Sequence, residues 1–197
     1  MQKNDLELLI NYISKLPSVG KRSAKRIALH LLKNKENLMF PLAKAITDTA
    51  QNIKKCSECG NYDISEICNI CSNEKRNHEQ VCVVENVEDL WAIERGNIYN
   101  GVYHILGGAL SAIDGISPDD LNLKTLLAKI QAGKVKEVIL ATNATIEGQT
   151  TAHFVSGKLR QYNVKISRLA FGIPLGGELD YLDEGTLLTA LETRREL

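Results

Sequence analysis

The chain has 197 residues, of which 44% are apolar and 24% are charged. This composition is typical of a globular protein and excludes a fibrous or wholly disordered chain. No apolar run approaches the roughly 18 residues of a membrane-spanning helix, and the first ten residues mix acids with apolar residues, which argues against a signal peptide. We therefore expect a cytoplasmic protein with reduced cysteines and no membrane partner.

The formal net charge of zero conceals an uneven distribution along the chain. Residues 1–55 carry 11 Lys or Arg against 4 Asp or Glu, whereas residues 56–197 carry 13 against 20. A basic N-terminal module beside an acidic body indicates a local footprint for a polyanion such as nucleic acid. Lysines that only solvate helix surfaces would give the same count, so charge alone leaves both interpretations open.

Three helices are predicted in the basic region. Apolar residues recur at helical spacing over residues 5–16 and again over residues 21–34, and a third helix is expected from about Leu42 to Lys55. The segment "PSVG" separates the first two helices as a breaker. On the second helix we expect Ile27 and Leu31 to belong to the apolar face.

Four basic residues follow the turn between the first two helices. A glycine-containing turn of this kind can bind DNA through backbone N–H groups that point at phosphates. Such contacts carry no sequence information and weaken steeply with salt. Two helices with a breaker and nearby lysines are a common pattern, so DNA binding and a merely solvated face both remain open. The candidate DNA-binding residues are Lys21, Arg22, Lys25 and Arg26.

The segment "CSECGNYDISEICNIC" contains two C-x2-C pairs. Two such pairs present four thiolates at the corners of a tetrahedron, which suits zinc. Disulfides or a redox pair are the competing interpretations, and both disagree with a cytoplasmic location. We therefore predict one structural Zn²⁺ per chain, with no coordination position left for a substrate. Its ligands are Cys56, Cys59, Cys68 and Cys71.

From about Val81 onwards, strands alternate with helices. The predicted strands are "VCVVE", "GVYHIL", "VKEVILAT" and "VKISRLAF". One of the intervening helices is expected to begin at an N-cap Ser117, with Pro118 as its first residue. This alternation predicts an α/β fold with a mainly parallel sheet covered on both faces.

The bacterial RecR family of recombination mediators resembles this chain over practically its whole length. The motifs that carry the resemblance are, in order, "LPSVGKRSAKRIALHLL", "CSECGNYDISEICNIC", "VCVVENVEDLWAIE", "GVYHILGGALSAIDGISPDDL", "VKEVILATNATIEGQTTAHF" and "RLAFGIPLGGELDYLDEGTL". The resemblance implies a helix–hairpin–helix DNA-binding module over 1–55 and a zinc motif over 56–72. It further implies a Toprim domain, Rossmann-like with a mainly parallel sheet, over 80–172, and a C-terminal assembly segment with a helix over 173–197.

The same resemblance implies a function and a set of partners. Proteins of this family form tetrameric rings, bind gapped, single- and double-stranded DNA, act with RecO and RecF, and promote RecA loading onto gapped or SSB-coated DNA. We therefore expect a nucleoid-associated mediator of DNA repair and recombination. The family's DNA-contacting basic pair corresponds to Arg22 and Arg26. Ser18 stands where the family usually has glycine, so a positive φ there would strain the turn.

The Toprim signature of topoisomerases and primases is incomplete in this sequence. Those enzymes hold Mg²⁺ with a glutamate after the first strand and an Asp-x-Asp after the third. Glu85 matches the glutamate, but Asn143 and Thr145 occupy the aspartate positions, and Glu147 follows one turn later. We expect no catalytic residue and interpret these four as a degenerate site that contacts a partner. The alternative is a metal-dependent nuclease or primase-like phosphoryl-transfer enzyme, with Glu88 and Asp89 nearby.

Overall fold

The computed structural model describes residues 4–194, which form parts of two compact units. The first unit ends at Ile53 and the second begins at Lys54. The outermost residues of the predicted segments 1–55 and 173–197 lie outside the described range. Within that range no helix has the length and apolar character needed to cross a membrane.

The N-terminal unit is helical, as the apolar spacing predicts. Its helices pack around a small core to which Ile13 of the first helix and Ala24, Ala28 and Leu31 of the second contribute. A π-helical turn over Lys35–Met39 leads into the third helix. The helices are α1 (Asp5–Ile13), α2 (Lys21–Lys33) and α3 (Phe40–Asn52).

Two expectations for this unit are wrong in detail. Ile27 is exposed, because the small side chains of Ala24 and Ala28 face the core and let the helices approach closely. The third helix ends at Asn52, since Lys54–Lys55 form a short strand instead of its last turn. Helix α3 buries none of its residues in the single chain.

The second unit contains a two-stranded antiparallel ribbon and a four-stranded parallel sheet, which confirms the predicted α/β class. The sheet has the order β4-β3-β5-β6, so β3 lies between β4 and β5. The ribbon strands are β1 (Lys54–Lys55) and β2 (Tyr62–Asp63), and the sheet strands are β3 (Asn77–Val84), β4 (Gly101–Ile105), β5 (Glu137–Leu140) and β6 (Lys165–Arg168).

Both faces of the parallel sheet are covered, because successive residues of β3 point to opposite sides. Val81 and Val83 pack into a cluster with the residues of α5 (Leu123–Gln131) and α6 (Ile146–Leu159), whereas Cys82 and Val84 pack with Leu90 of α4 (Val87–Arg95). Cys82 is thus a core residue, as its apolar strand predicts. The helices of this unit are α4 (Val87–Arg95), α5 (Leu123–Gln131), α6 (Ile146–Leu159) and α7 (Glu184–Glu192).

The helix predicted to start at Ser117 is interrupted. Ser117 and Asp120 do form a capping box, but the helix that it begins is only a 3₁₀ turn over Pro118–Asp120. Leu121 then adopts an extended conformation and is buried in the core, and α5 begins two residues later. The N-cap therefore forms where the sequence predicted it. The helix that it begins stops after one turn, because Leu121 is extended and buried in the core.

The strand order also determines where a site can form. After β3 the chain forms β4 on one side of β3, and the next strand, β5, lies on the other side of β3. Crevices outside the carboxyl ends of parallel strands, at such a change of direction, are where open α/β sheets bind ligands. Glu85 follows β3 directly, and Ala141–Asn143 follow β5, so both segments meet at this edge.

Candidate functional sites

The four cysteines of the two C-x2-C pairs converge into one buried cluster. Their Sγ atoms all lie within 4.8 Å of one another. The Sγ atoms of Cys59 and Cys68 are 3.5 Å apart, far beyond the roughly 2 Å of a disulfide bond. Four sulfurs bound tetrahedrally at about 2.3 Å from Zn²⁺ would lie roughly 3.8 Å apart. The cluster therefore has the geometry to hold a metal ion.

Backbone N–H groups help to shape this cluster. Gly60, directly after the first C-x2-C pair, adopts a φ of 84°, which favours glycine. The N–H of Asn61 donates to Cys59 Sγ at 3.4 Å, and the N–H of Cys68 donates to Cys56 Sγ at 3.3 Å. Such bonds stabilise thiolate sulfur, the form that binds a metal.

Three thiols of the cluster, those of Cys59, Cys68 and Cys71, shift one another's pKa. The pKa of Cys68 is lowered because its sulfur accepts hydrogen bonds from Cys59 and Cys71. The pKa of Cys71 is raised because it donates to these neighbours, and burial raises it further. A cation that takes all four sulfurs must displace protons, so its binding weakens as the pH falls.

Contacts attach the cysteine segment to the α/β domain. The N–H of Ile105, at the end of β4, donates to Cys59 O at 2.8 Å. Lys129 Nζ of α5 lies 3.6 Å from Glu58 Oε2, and Trp91 Nε1 of α4 donates to Asn61 Oδ1 at 3.2 Å. A metal in the cluster would therefore hold together a segment that packs against the end of the sheet.

The turn between α1 and α2 has a positive φ at Ser18, which is the condition under which serine strains it. Ser18 has a φ of 62°, in the left-handed region that costs a non-glycine residue about 1–2 kcal/mol. The N–H of Val19 donates to Leu16 O at 3.1 Å and closes the turn. Gly20 is the N-cap of α2, and open space surrounds the position that a Cβ would take there.

The four basic residues after this turn are exposed, whereas Ala24 and Ala28 of the same helix are buried. Among residues 4–194, the ion pairs within 4 Å involve none of the four. Their positive charge is therefore not neutralised by neighbouring acids. The residues are Lys21, Arg22, Lys25 and Arg26, and their spacing along the helix was the signal that identified them.

At the carboxyl edge of the sheet, Glu85 and Asn143 form a close pair. Glu85 is only 5% exposed. Its Oε1 accepts from Asn143 N, and its Oε2 accepts from Asn143 Nδ2, both at 2.7 Å. Asn143 stands where Toprim enzymes have their first aspartate. The backbone N–H and the side-chain amide of Asn143 thus each occupy one oxygen of the glutamate that would otherwise bind Mg²⁺.

The other two residues of the predicted degenerate site have different surroundings. Thr145 is the N-cap of α6, and its Oγ1 accepts from Gly148 N at 3.1 Å. Glu147 lies in the first turn of α6 and is exposed. Glu85 is buried, so Glu147 is the accessible carboxylate of the four.

Gly148 was missed by the sequence reasoning. A Cβ at this position would lie 2.2 Å from Asn143 O and 2.7 Å from Glu85 Oε1, so any side chain would displace the pair. Glycine therefore lets the start of α6 approach the end of β3. The only signal was a glycine in a helical pattern, which marks close backbone approach in only some cases.

The parallel sheet, with a glutamate after its first strand and a polar pair after its third, defines a Toprim domain in which the acidic triad is incomplete. Residues 79–170 match the family described as "Toprim domain". Residues 6–50 match "RecR, helix-hairpin-helix" and residues 172–195 match "RecR, C-terminal".

Curated relatives match along nearly the full chain. Recombination protein RecR of Brucella anthropi is 52% identical over 193 residues, which cover 98% of this chain and 96% of the relative. The proteins of the same name from Brucella melitensis biotype 1 and Brucella suis biovar 1 show the same identity and coverage. The chain belongs to the RecR family.

Asn143→Asp tests whether the amide takes the place of a cation beside Glu85. Two adjacent carboxylates repel each other, so we expect the free energy of unfolding to fall by about 2 kcal/mol in EDTA at pH 7. Mg²⁺ at millimolar concentration should recover part of this loss by bridging the two carboxylates. Urea unfolding with and without Mg²⁺ measures both effects.

Asn143→Ala is the matched control for this experiment. It removes the side-chain donor without adding a charge, so its loss of stability should not depend on Mg²⁺. A variant Asn143→Asp that is as stable as the wild type in EDTA would contradict the assigned hydrogen bonds.

Proposed function

We propose that the chain is a non-enzymatic mediator of DNA repair and recombination. It binds DNA without sequence preference and, together with RecO and RecF, promotes RecA loading onto gapped or SSB-coated single-stranded DNA. The observation that carries this proposal is the exposed basic face at the start of α2, which forms no ion pair with residues 4–194, in a chain of the RecR family. The relatives' name, recombination protein, agrees with the role.

DNA phosphates would be bound at the N-terminus of α2. The first hydrogen bond within the helix is donated by Ala24 N to Gly20 O at 2.9 Å, so the preceding N–H groups, from Lys21 to Ser23, have no helical acceptor. Open space around Gly20 leaves room for a phosphate to approach them. The four cations nearby add attraction that carries no base information.

Neutralising Arg22 and Arg26 together tests the DNA contact. We expect the double variant Arg22→Gln, Arg26→Gln to lose roughly tenfold or more in affinity for gapped DNA, because about two fewer counterions are released. For the same reason the slope of log K against log salt concentration should become about two units less steep. Fluorescence anisotropy at several salt concentrations measures both quantities.

Lys35→Gln is the control, since Lys35 is an exposed cation of the same unit in the π-helical turn before α3. We expect its DNA affinity to match that of the wild type. Unchanged affinity and an unchanged salt slope in the double variant would rule out this face as the DNA contact.

Zn²⁺ is the metal proposed for the cysteine cluster. Four sulfur ligands within 4.8 Å of one another leave no open position, so the ion would hold the fold of the segment and take no part in a reaction.

Elemental analysis of the purified protein should give one zinc per chain. Cys68→Ser should lose the zinc and lower the melting temperature, whereas Cys82→Ser, a buried cysteine outside the cluster, should keep it. Another metal at full occupancy would contradict this assignment.

A homo-oligomer, and specifically a tetrameric ring, is proposed from apolar side chains exposed on α3 and in the C-terminal segment. In α3, Phe40 and Ile46 are 58% and 62% exposed. In the C-terminal segment, Leu175 and Tyr181 are exposed as well. Large apolar side chains grouped in this way mark protein–protein contacts. Two separate contact surfaces on one chain allow a ring to close.

RecO is proposed to contact the degenerate Toprim edge through Glu147. This carboxylate is exposed, and no ion pair in the described part of the chain involves it. Basic residues of a partner could therefore pair with it, which would orient the complex. Glu85 has a supporting part, because it holds Asn143 and the turn before α6 in place.

Glu147→Lys tests this contact, and light scattering gives the readout. The wild type alone should have the mass of four chains, and adding RecO should increase the mass. Glu147→Lys should keep the oligomer and lose the complex with RecO, since like charges repel across the contact. Glu74→Lys, an exposed acid in the cysteine segment, should behave as the wild type. A wild type with the mass of one chain would overturn the ring, and full RecO binding by Glu147→Lys would overturn the docking site.

Phosphoryl transfer by a nuclease or primase is less well supported. Such chemistry needs several carboxylates that share a metal ion. Both oxygens of Glu85 accept from Asn143, and Asp89 accepts from Asn86 N in the cap of α4. Within residues 4–194, the only group of three or more close metal-ligating side chains is the cysteine cluster.

A further inference from the structure

A cleft of about 610 Å³ lies outside the carboxyl ends of β5 and β6. Ala144 and Gln149 line it from the start of α6, Arg168 and Phe171 from the end of β6, and α7 closes the remaining side. Open α/β sheets bind small ligands in crevices at this edge. The volume falls within the range of about 300–1,000 Å³ that is usual for small-molecule sites. None of the functions proposed above uses this cleft.

Arg168 is the half-buried cation of the cleft. Its Nε is buried and has no hydrogen-bond acceptor in the part of the chain that the structure describes. No carboxylate among residues 4–194 lies within 4 Å of its guanidinium. Its Cζ lies 4.1 Å from the centre of the Phe171 ring, so stacking holds the planar group in place. A positioned guanidinium without a protein acceptor is suited to bind a phosphate or carboxylate.

On the α7 side of the cleft, the side chains offer hydrogen-bond acceptors rather than donors. The hydroxyls of Thr189 and Thr193 donate to the backbone carbonyls of Gly185 and Thr189, and no residue between 4 and 194 donates to these two oxygens. Glu192 lies on the same wall, and it forms no ion pair with any residue between 4 and 194. A ligand that satisfies both walls has an oxyanion at one end and hydroxyl or amino donors at the other.

The size of the cleft restricts the ligand further. An inorganic phosphate would fill only a small part of about 610 Å³. A phosphorylated molecule that also carries a sugar or base would reach from the guanidinium to α7 and present donors to its threonines and Glu192.

We propose that this cleft binds a small phosphorylated molecule of the size and polarity of a nucleoside monophosphate, with its phosphate on Arg168. Because α7 forms one wall, the bound ligand holds this helix against the sheet edge. The C-terminal segment, which is proposed above to serve assembly, would therefore respond to the ligand.

Isothermal titration of the full-length protein with AMP tests the site. AMP should bind the wild type, whereas adenosine, which lacks the phosphate, should not. Arg168→Met should weaken AMP binding about tenfold or more, because hydrogen bonds to a charged group contribute at least that factor. Arg160→Met, which removes an exposed cation at the C-cap of α6, should bind AMP as the wild type does.

Gly172→Leu is a second variant that leaves Arg168 unchanged. Gly172 lines the cleft and has open space where a Cβ would lie, so the fold should accept leucine while the cleft narrows. We expect weaker AMP binding in this variant also, with an unchanged circular dichroism spectrum.

Three outcomes would overturn the proposal. The first is a wild type that binds no AMP at millimolar concentration, and the second is equal affinity in Arg168→Met and the wild type. The third arises from DNA, whose backbone phosphates could occupy the same guanidinium. If Arg168→Met weakens binding of an oligonucleotide without terminal phosphates while AMP does not bind, the cleft serves DNA and not a small molecule.

Discussion

The hydrogen-bonded pair of Glu85 and Asn143 joins the end of β3 to the end of β5, and the character of the Toprim edge depends on it. The carboxylate is buried next to a backbone that α6 approaches closely at Gly148. A buried carboxylate needs a cation or donors to balance it. Here one asparagine supplies two donors, at 2.7 Å each, in the place where related enzymes use a metal ion. The strand ends that form a metal site in those enzymes are thus retained here, and the hydrogen-bonded pair connects them.

The groups that are candidates for binding DNA, a protein partner and a metal lie in separate parts of the chain. The N-terminal unit carries exposed cations with no acidic partner in the described residues, and this arrangement suits phosphates. The second unit carries an exposed acid at Glu147, which suits a basic protein partner. The cysteine cluster lies in the same unit as that acid and is attached to the sheet through Cys59 and Ile105. The binding of DNA, metal and protein proposed above therefore relies on separate sets of residues.

The sequence predicted much of the fold because its signals are local. The C-x2-C spacing, the alternation of strands and helices, and the glycine-like position of Ser18 each depend on a few neighbouring residues. The errors occur where packing decides. Leu121 is buried and ends the helix that Ser117 caps, and Ile27 is exposed because smaller alanines face the core. No periodicity distinguishes these outcomes, since each depends on what lies opposite in space.

The sequence by itself determined the family through the order of its motifs. It also predicted the metal-ligand set and the candidate DNA-binding residues, because covalent spacing places those side chains within one turn or one knuckle of each other. Only the tertiary structure decided the state of the Toprim edge. Glu85 and Asn143 are 58 residues apart, and the parallel register of β3 and β5 brings them into contact. Glu147 lies on the surface and the cleft at Arg168 is open because of where α6 and α7 lie against the strand ends. The sequence alone does not show these positions.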